Sequence, residues 1–140
     1  MIRAYDPADR DALLDVWQKS ATVAHPFWTP DVLARERREI AEQFLPVAET
    51  YVFEHAGAVV GFISLLGTEV GGIFVAPQWQ GRGIGRELMD MARTSRDELE
   101  LDVFEDNAIA RAFYDAYGFT TVGNRLDQAT GRRVLRMRLT

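Results

Sequence analysis

A run of glycines and arginines at positions 80–86 is the part of this sequence best suited to binding chemistry. It reads Gln-Gly-Arg-Gly-Ile-Gly-Arg, with glycine at 81, 83 and 85. Glycine permits a positive φ and carries no Cβ atom that would keep a ligand away from the backbone. The flanking residues predict a strand before the run and a helix after it, so free N–H groups at the helix start can meet an anion. Arg82 and Arg86 can add charge-assisted hydrogen bonds to phosphates.

Two other phosphate-binding loops do not fit this run. A P-loop requires a Gly-Lys-Ser/Thr triplet, and none follows these glycines. The dinucleotide-binding fingerprint Gly-x-Gly-x-x-Gly has Leu88 where its third glycine belongs. The remaining alternative is a flexible strand-to-helix turn whose two arginines are simply solvated. Other features of the sequence are needed to distinguish a ligand-binding turn from a solvated one.

A second set of residues shares one face of a predicted helix near the C-terminus. At 100° per residue, Asn107, Ala110 and Tyr114 project within about 60° of one another. A separate apolar stripe of the same helix can face the core. A small residue between two polar ones suits a narrow ligand arm. The alternative for Tyr114 is a half-buried packing residue, which is the role expected of its neighbour Tyr117.

The elements that must position these residues follow from hydrophobic periodicity and turn signals. The predicted strands cover residues 2–4, 51–53, 58–66, 70–75, 99–104, 119–122 and 134–139. The predicted helices cover about 8–21, 30–45, 83–96 and 107–117. Antiparallel strands come first and a strand–helix–strand unit second, which indicates a mixed α/β fold. No linker or repeat divides residues 1–140, so a single domain is expected.

Composition excludes several classes of protein and site. The chain has no cysteine, which rules out disulfides, thiolate metal sites and a cysteine nucleophile. Its two histidines, His25 and His55, lie too far apart in sequence to suggest a metal site. The net charge of −5 disfavours a broad nucleic-acid surface. There is no apolar run of transmembrane length and no signal-peptide core, so we expect a cytoplasmic monomer or homodimer that contacts no membrane.

Two motifs of this chain resemble those of the GCN5-related N-acetyltransferases. Ile73-Phe74-Val75-Ala76-Pro77 and the following run 80–85 match the family's signature Gln/Arg-x-x-Gly-x-Gly/Ala. A second match about 25 residues downstream combines Asn107, Ala110, Phe113-Tyr114 and Gly118-Phe119. The order of predicted elements also fits, so the resemblance covers nearly the whole chain.

The resemblance implies a mostly antiparallel central sheet flanked by about four helices, with splayed middle strands that form a V-shaped cleft. Acetyl-coenzyme A would lie there, with its pantetheine arm on main-chain groups and its pyrophosphate on the glycine turn. The positions that match the family's cofactor contacts are Phe74, Val75, Gln80, Gly81, Arg82, Gly83, Ile84, Gly85, Arg86, Asn107 and Ala110. The position of Tyr114 matches the family's usual general acid.

The sequence gives weaker evidence for the catalytic base and the acceptor site than for the cofactor site. An amine attacks a thioester only in its neutral form, so a group must accept its proton. Asp102 is the first candidate, because it lies on a strand beside the cleft and matches a catalytic acid of some relatives. Glu69, His25 or a chain of waters are the alternatives, and Asp102 could also be an ordinary surface group. The aromatic segment with His25, Phe27 and Trp28 is expected to form the acceptor wall, the alternative being a core cap.

The resemblance therefore predicts an acetyl-CoA-dependent transfer of an acetyl group to a primary amine of a small molecule or peptide, by direct attack on the thioester. The competing hypothesis is a regulatory module that binds coenzyme A and does not catalyse.

Overall fold

The computed structural model describes residues 1–140, which fold around one seven-stranded sheet. The strands are β1 (Ile2–Ala4), β2 (Glu49–His55), β3 (Ala58–Leu66), β4 (Glu69–Val75), β5 (Leu99–Phe104), β6 (Thr120–Leu126) and β7 (Arg133–Leu139). The helices are α1 (Arg10–Ala24), α2 (Pro30–Glu39), α3 (Ile84–Arg93) and α4 (Ala108–Tyr117). The sheet order is β1-β2-β3-β4-β5-β7-β6, and every neighbouring pair except β4 and β5 is antiparallel. The mixed α/β class expected from the sequence is confirmed.

Two apolar cores lie on opposite faces of the sheet. One contains Leu88 of α3 and Tyr114 of α4, and the other contains Leu13 and Trp17 of α1. Strand β3 contributes to both cores and is buried along most of its length, as a central strand must be. The helices thus cover the sheet from both sides, with α1 opposite α3 and α4.

The sheet splits in its middle. Strands β4 and β5 run parallel and pair at a single position, Glu69 with Glu100. From there β4 continues against β3, while β5 continues against β7. The two strands therefore leave a gap between them that no other strand fills. This gap is the splayed arrangement that the family resemblance implies.

Helix α2 is shorter than its sequence pattern predicts. Thr29 caps it by accepting a hydrogen bond from the Val32 N–H, and Pro30 occupies its first turn. The α-helix ends at Glu39, and a π-helical turn spans Ile40–Phe44. That turn places Phe44 against Gly71 of β4, so closely that a Cβ atom at position 71 would overlap the ring.

The lengths of these helices also bear on membrane insertion. None of them combines the length and the apolar composition that a helix needs to cross a bilayer.

Candidate active site

A cavity of about 710 Å³ occupies the gap between β4 and β5. Its walls come from the end of β4, the glycine turn, the start of α4 and the last two turns of α1. Because α1 packs on one face of the sheet and α4 on the other, the cavity passes through the sheet. Its volume lies in the range of small-molecule sites, and apolar residues form most of its wall.

The glycine turn leaves the strand end and starts α3. Gly81 and Gly83 have φ angles of 79° and 83°, in the left-handed region that glycine adopts without strain. A Cβ atom at either position would meet no protein atom within 4 Å, so the space beside the turn is open to a ligand. Gly83 is the N-cap residue of α3, which leaves the first N–H groups of that helix unpaired and facing outward. The turn thus has the backbone geometry of an anion site.

The other residues of the turn contact neighbouring parts of the protein. A Cβ atom on Gly85 would lie 3.3 Å from the ring of Phe113, so glycine there lets α3 approach α4 closely. Ile84 is buried in the core. The Arg82 guanidinium lies 4.7 Å from the ring centre of Trp79, and that of Arg86 lies 5.5 Å from Tyr117. These stacking contacts hold two positive charges beside the turn.

The free edge of β4 presents main-chain groups to the gap. The Ala76 N–H bonds to the Val60 carbonyl, and the pairing of β3 with β4 alternates from there. Phe74 therefore directs its main-chain groups toward β3, whereas Ile73 and Val75 direct theirs toward the gap. The family resemblance implies main-chain contacts at Phe74 and Val75; of these two residues, Val75 has main-chain groups that face the gap, and Ile73 shares that direction.

The carbonyl of Val75 is held by two side chains. Ser20 Oγ donates to it at 3.0 Å and Gln80 Nε2 at 3.1 Å. Ser20 is almost fully buried in α1, and it lines the cavity. Sequence reasoning missed Ser20, because its link to β4 spans 55 positions along the chain.

Helix α4 brings its three predicted residues to the cavity. Asn107, Ala110 and Tyr114 all line it. Asn107 Oδ1 accepts a hydrogen bond from the Ala110 N–H, which caps the helix start. Tyr114 is 9% exposed, and burial alone raises the pKa of its phenol strongly. Tyr117 lies outside the cavity wall and donates to Asp90, and burial together with that bond raises its pKa to about 12.

The acids proposed as bases lie in an ion-pair network instead of the cavity wall. Asp102 accepts hydrogen bonds from Arg125 at 3.0 Å and from Arg136 at 3.3 Å. Although burial acts in the opposite direction, these two guanidinium groups hold the pKa of Asp102 below its usual value. Glu69 accepts two hydrogen bonds from Arg136, at 2.6 and 2.8 Å. Asp102 therefore accepts a proton less readily than a free aspartate, and neither Asp102 nor Glu69 lines the cavity, so the role of either as base stays a prediction.

The aromatic segment after α1 forms a cluster at the end of β5. The ring centre of His25 lies 4.5 Å from that of Trp28 and 5.1 Å from that of Phe104, and Phe27 lies 5.7 Å from Phe104. Phe104 is the last residue of β5, so the cluster joins the two sides of the gap. The cluster itself does not line the main cavity, but Ala24, which precedes His25, does.

His25 is the titratable group of this cluster. Burial lowers the pKa of its imidazole, and a contact with the Ala24 backbone opposes this in part. Its Nδ1 atom is buried without a hydrogen-bond partner. The imidazole is therefore kept neutral near pH 7.

Comparison with known proteins agrees with this architecture. The model of the "Acetyltransferase (GNAT) domain" family matches residues 17–140, which is most of the chain. The chain belongs to the GCN5-related N-acetyltransferase family. The peptidyl-lysine N-acetyltransferase YiaC of Escherichia coli is 33% identical over 123 residues, which cover 87% of this chain and 84% of YiaC. YjaB of Salmonella typhimurium, also named a peptidyl-lysine N-acetyltransferase, is 31% identical with the same coverage.

Solved structures of N-acetyltransferases share the fold. The apo form of YjaB from Escherichia coli superposes with a TM-score of 0.84 at 27% identity, over 99% of this chain and 95% of that one. PaiA of Thermoplasma acidophilum, solved with coenzyme A, gives a TM-score of 0.78 at 16% identity, over 97% and 96% of the two chains. Taken with the family match, these relationships identify this chain as an acetyl-CoA-dependent N-acetyltransferase.

Proposed function

We propose that this N-acetyltransferase modifies the side-chain amine of lysine in proteins. The observation that carries the proposal is the cavity that passes through the sheet, with the glycine turn at one end and the aromatic cluster near the other face. Lysine bears its amine on a long, unbranched chain, which can enter a narrow gap while the rest of the protein stays outside. The names of YiaC and YjaB as peptidyl-lysine N-acetyltransferases support the same acceptor.

In this proposal the cofactor enters from the side of α3 and α4. The pyrophosphate lies on the N–H groups that follow Gly81, with Arg82 and Arg86 beside it. The pantetheine arm follows the free edge of β4 at Ile73 and Val75 and passes Asn107 and Ala110. Ser20 and Gln80 fix the Val75 carbonyl, so the strand edge is ordered before the cofactor arrives.

Tyr114 is proposed to act on the leaving sulfur. The amine attacks the thioester carbonyl, and the resulting tetrahedral intermediate collapses by expelling the coenzyme A thiolate. A free thiol has a pKa of about 8.5 and a phenol one of about 10, so proton transfer from tyrosine to thiolate is uphill. Burial raises the pKa of Tyr114 further, which makes the transfer harder but keeps the hydroxyl protonated. Tyr114 therefore acts by a hydrogen bond that stabilises the thiolate as it forms, and it keeps its own proton.

His25 is the proposed route for the proton of the attacking amine. It is the only candidate base that forms no ion pair, whereas Asp102 and Glu69 are paired with arginines. A neutral imidazole can accept a proton directly or through one water. Its ring packs against Phe104 at the end of β5, and the preceding residue, Ala24, lines the cavity.

The test is an acetylation assay with peptides whose only free amine is either a lysine side chain or the N-terminus. We expect acetyl-CoA-dependent addition of one acetyl group to the lysine peptide, detected by mass spectrometry, and much slower reaction at the N-terminal amine. A panel of small amines serves as the third arm. Acetylation of the N-terminus or of a small amine alone would overturn the lysine proposal and leave the acetyl-CoA chemistry intact.

A further inference from the structure

A second cavity, of about 520 Å³, lies on the face of the sheet that carries α1 and α2. Its aromatic walls are Trp17, Trp28 and Phe44, and two carboxylate residues of α2, Glu36 and Glu39, also line it. None of these residues belongs to the wall of the first cavity. The second cavity therefore has its own composition, aromatic on one side and acidic on the other.

The second cavity depends on the backbone conformation of the segment that follows α2. The π-helical turn after α2, closed by the Leu45 N–H bonding to the Ile40 carbonyl at 2.9 Å, carries Phe44 onto β4. Only glycine at position 71 leaves room for that ring. Such π-helical turns are rare and frequently occur at functional sites. Phe44 thus closes the floor of the cavity against β4 instead of pointing into solvent.

The two carboxylates have no positive partner of their own. Glu36 and Glu39 are three residues apart and lie on one helix face. Neither forms a salt bridge, whereas Arg37 between them pairs with Asp15 at 2.9 Å. Burial raises the pKa of Glu36, the charges of Glu39 and Asp127 act in the same direction, and Arg35 opposes them. A cation in the cavity would relieve this repulsion and would also stack on the aromatic faces.

The acceptor amine itself is not the right occupant. It must lose its proton before it attacks, and two carboxylates would hold it as an ammonium ion. A cation that stays charged throughout the reaction fits the cavity better. Trp17 in the second cavity and Ser20 in the first lie three residues apart on α1, so the two cavities are neighbours on the α1 face of the sheet. Side chains two residues apart on an extended peptide share a face and lie about 7 Å apart, so one peptide can reach both cavities.

We propose that the second cavity binds a lysine or arginine side chain of the acceptor protein, two residues from the lysine that is acetylated. The proposal rests on lysine acetylation as the function of the first cavity. It makes Glu36 and Glu39 specificity-determining residues that act on acceptor binding without touching the reacting atoms.

The test compares two peptides that differ at one position. Each has a blocked N-terminus and one acceptor site, and carries either arginine or citrulline, its uncharged isostere, two residues away on either side. We expect the wild-type enzyme to have a KM about five- to tenfold lower for the arginine peptide, with similar kcat. In the double variant Glu36→Gln/Glu39→Gln this preference should disappear, and the KM for acetyl-CoA should not change.

Glu42→Gln is the matched control, because Glu42 is exposed on the adjoining turn and does not line the cavity. It should keep the preference for arginine. Equal KM values for the two peptides in the wild-type enzyme, or a preference that survives the double variant, would overturn the second-cavity proposal alone. Failure to acetylate either peptide, together with normal binding of acetyl-CoA, would overturn lysine acetylation and this inference with it.

Discussion

The two sides of the gap between β4 and β5 are built in different ways. The proposed cofactor side consists largely of backbone: the free edge of β4, the glycine turn and the start of α4. The proposed acceptor side consists of side chains from three separate segments, namely the aromatic segment after α1, the end of β5 and the hairpin between β6 and β7. Arg132 of that hairpin lies 3.9 Å from the ring centre of Phe27 and pairs with Asp106 at the cavity edge. Backbone conformation should therefore control cofactor binding, and individual side chains should control acceptor use.

The largest effect is expected from Gly83→Val. Valine would be strained at a φ of 83° and would place its side chain where the pyrophosphate must approach. Losing two or more charge-assisted hydrogen bonds should weaken acetyl-CoA binding by roughly 10²–10⁴-fold, as measured by calorimetry. Gly67→Val is the control, because Gly67 also has a positive φ, of 58°, but lies in the turn before β4, at the opposite end of that strand from the glycine turn. If both variants bind acetyl-CoA as wild type does, the turn is not the pyrophosphate site.

Tyr114→Phe tests the one side chain of the cofactor side that is proposed to act in the chemistry. We expect kcat to fall by about 10²-fold, at the lower end for general acid catalysis, because a thiolate is a fair leaving group without help. The dissociation constant of acetyl-CoA should stay close to that of wild type. Tyr117→Phe should change neither value, since its hydroxyl bonds to Asp90 outside the cavity. Full kcat in the Tyr114 variant, with chemistry limiting the rate, would reduce Tyr114 to a packing residue.

His25→Gln tests the acceptor side. The base must be neutral to accept a proton, and burial keeps the pKa of His25 below its ordinary value of about 6.5. In wild type, log(kcat/KM) should steepen as pH falls through that lowered pKa, because both the amine and His25 become protonated. In the variant we expect kcat/KM to fall about 10- to 100-fold and the extra steepening to vanish. His55→Gln removes the other histidine, at the end of β2, where its ring packs against Trp79 of the cofactor side; this control should keep the pH dependence of the wild type.

A purely structural role for His25 makes a different prediction. Because its folded-state pKa is lowered, the unfolded chain binds a proton more readily than the folded chain below about pH 6.5. The free energy of unfolding should therefore decrease as pH falls from 7 to 5, and His25→Gln should flatten this part of the curve. If only the stability curve changes and the pH–rate profile does not, His25 is a packing residue and the proton leaves by another route.

The sequence predicts a part of the site well when the residues that form it lie close together in the chain, and poorly when they lie far apart in the chain. The glycine turn and the α4 face are local patterns, so their spacing alone places 81, 83 and 85 in one turn and Asn107 beside Tyr114. Strand β3 and strand β5 also have the bounds that the sequence predicts. Ser20 and the second cavity could not be found in this way, because their partners are distant in the chain. The early end of α2 was missed because the contact of Phe44 with Gly71 is likewise non-local.

Asp102→Asn should have the smallest effect, and it separates the ion-pair network from the chemistry. The network stabilises the strands beyond the gap. The Asp102 carboxylate is already paired with Arg125 and Arg136. We expect kcat/KM to stay within about twofold of wild type, and the free energy of unfolding at pH 7 to fall by at most about 1 kcal/mol, because the pairs are partly exposed. The pKa of Asp102 is lowered in the folded protein, so its contribution to stability is present above about pH 4 and is lost as pH falls through the lowered pKa. Urea unfolding at pH 7 and pH 3 should therefore show a difference between wild type and variant that shrinks in acid. A tenfold or larger loss of kcat/KM at unchanged stability would return Asp102 to the mechanism as a base, and would show that the acceptor side extends across the network.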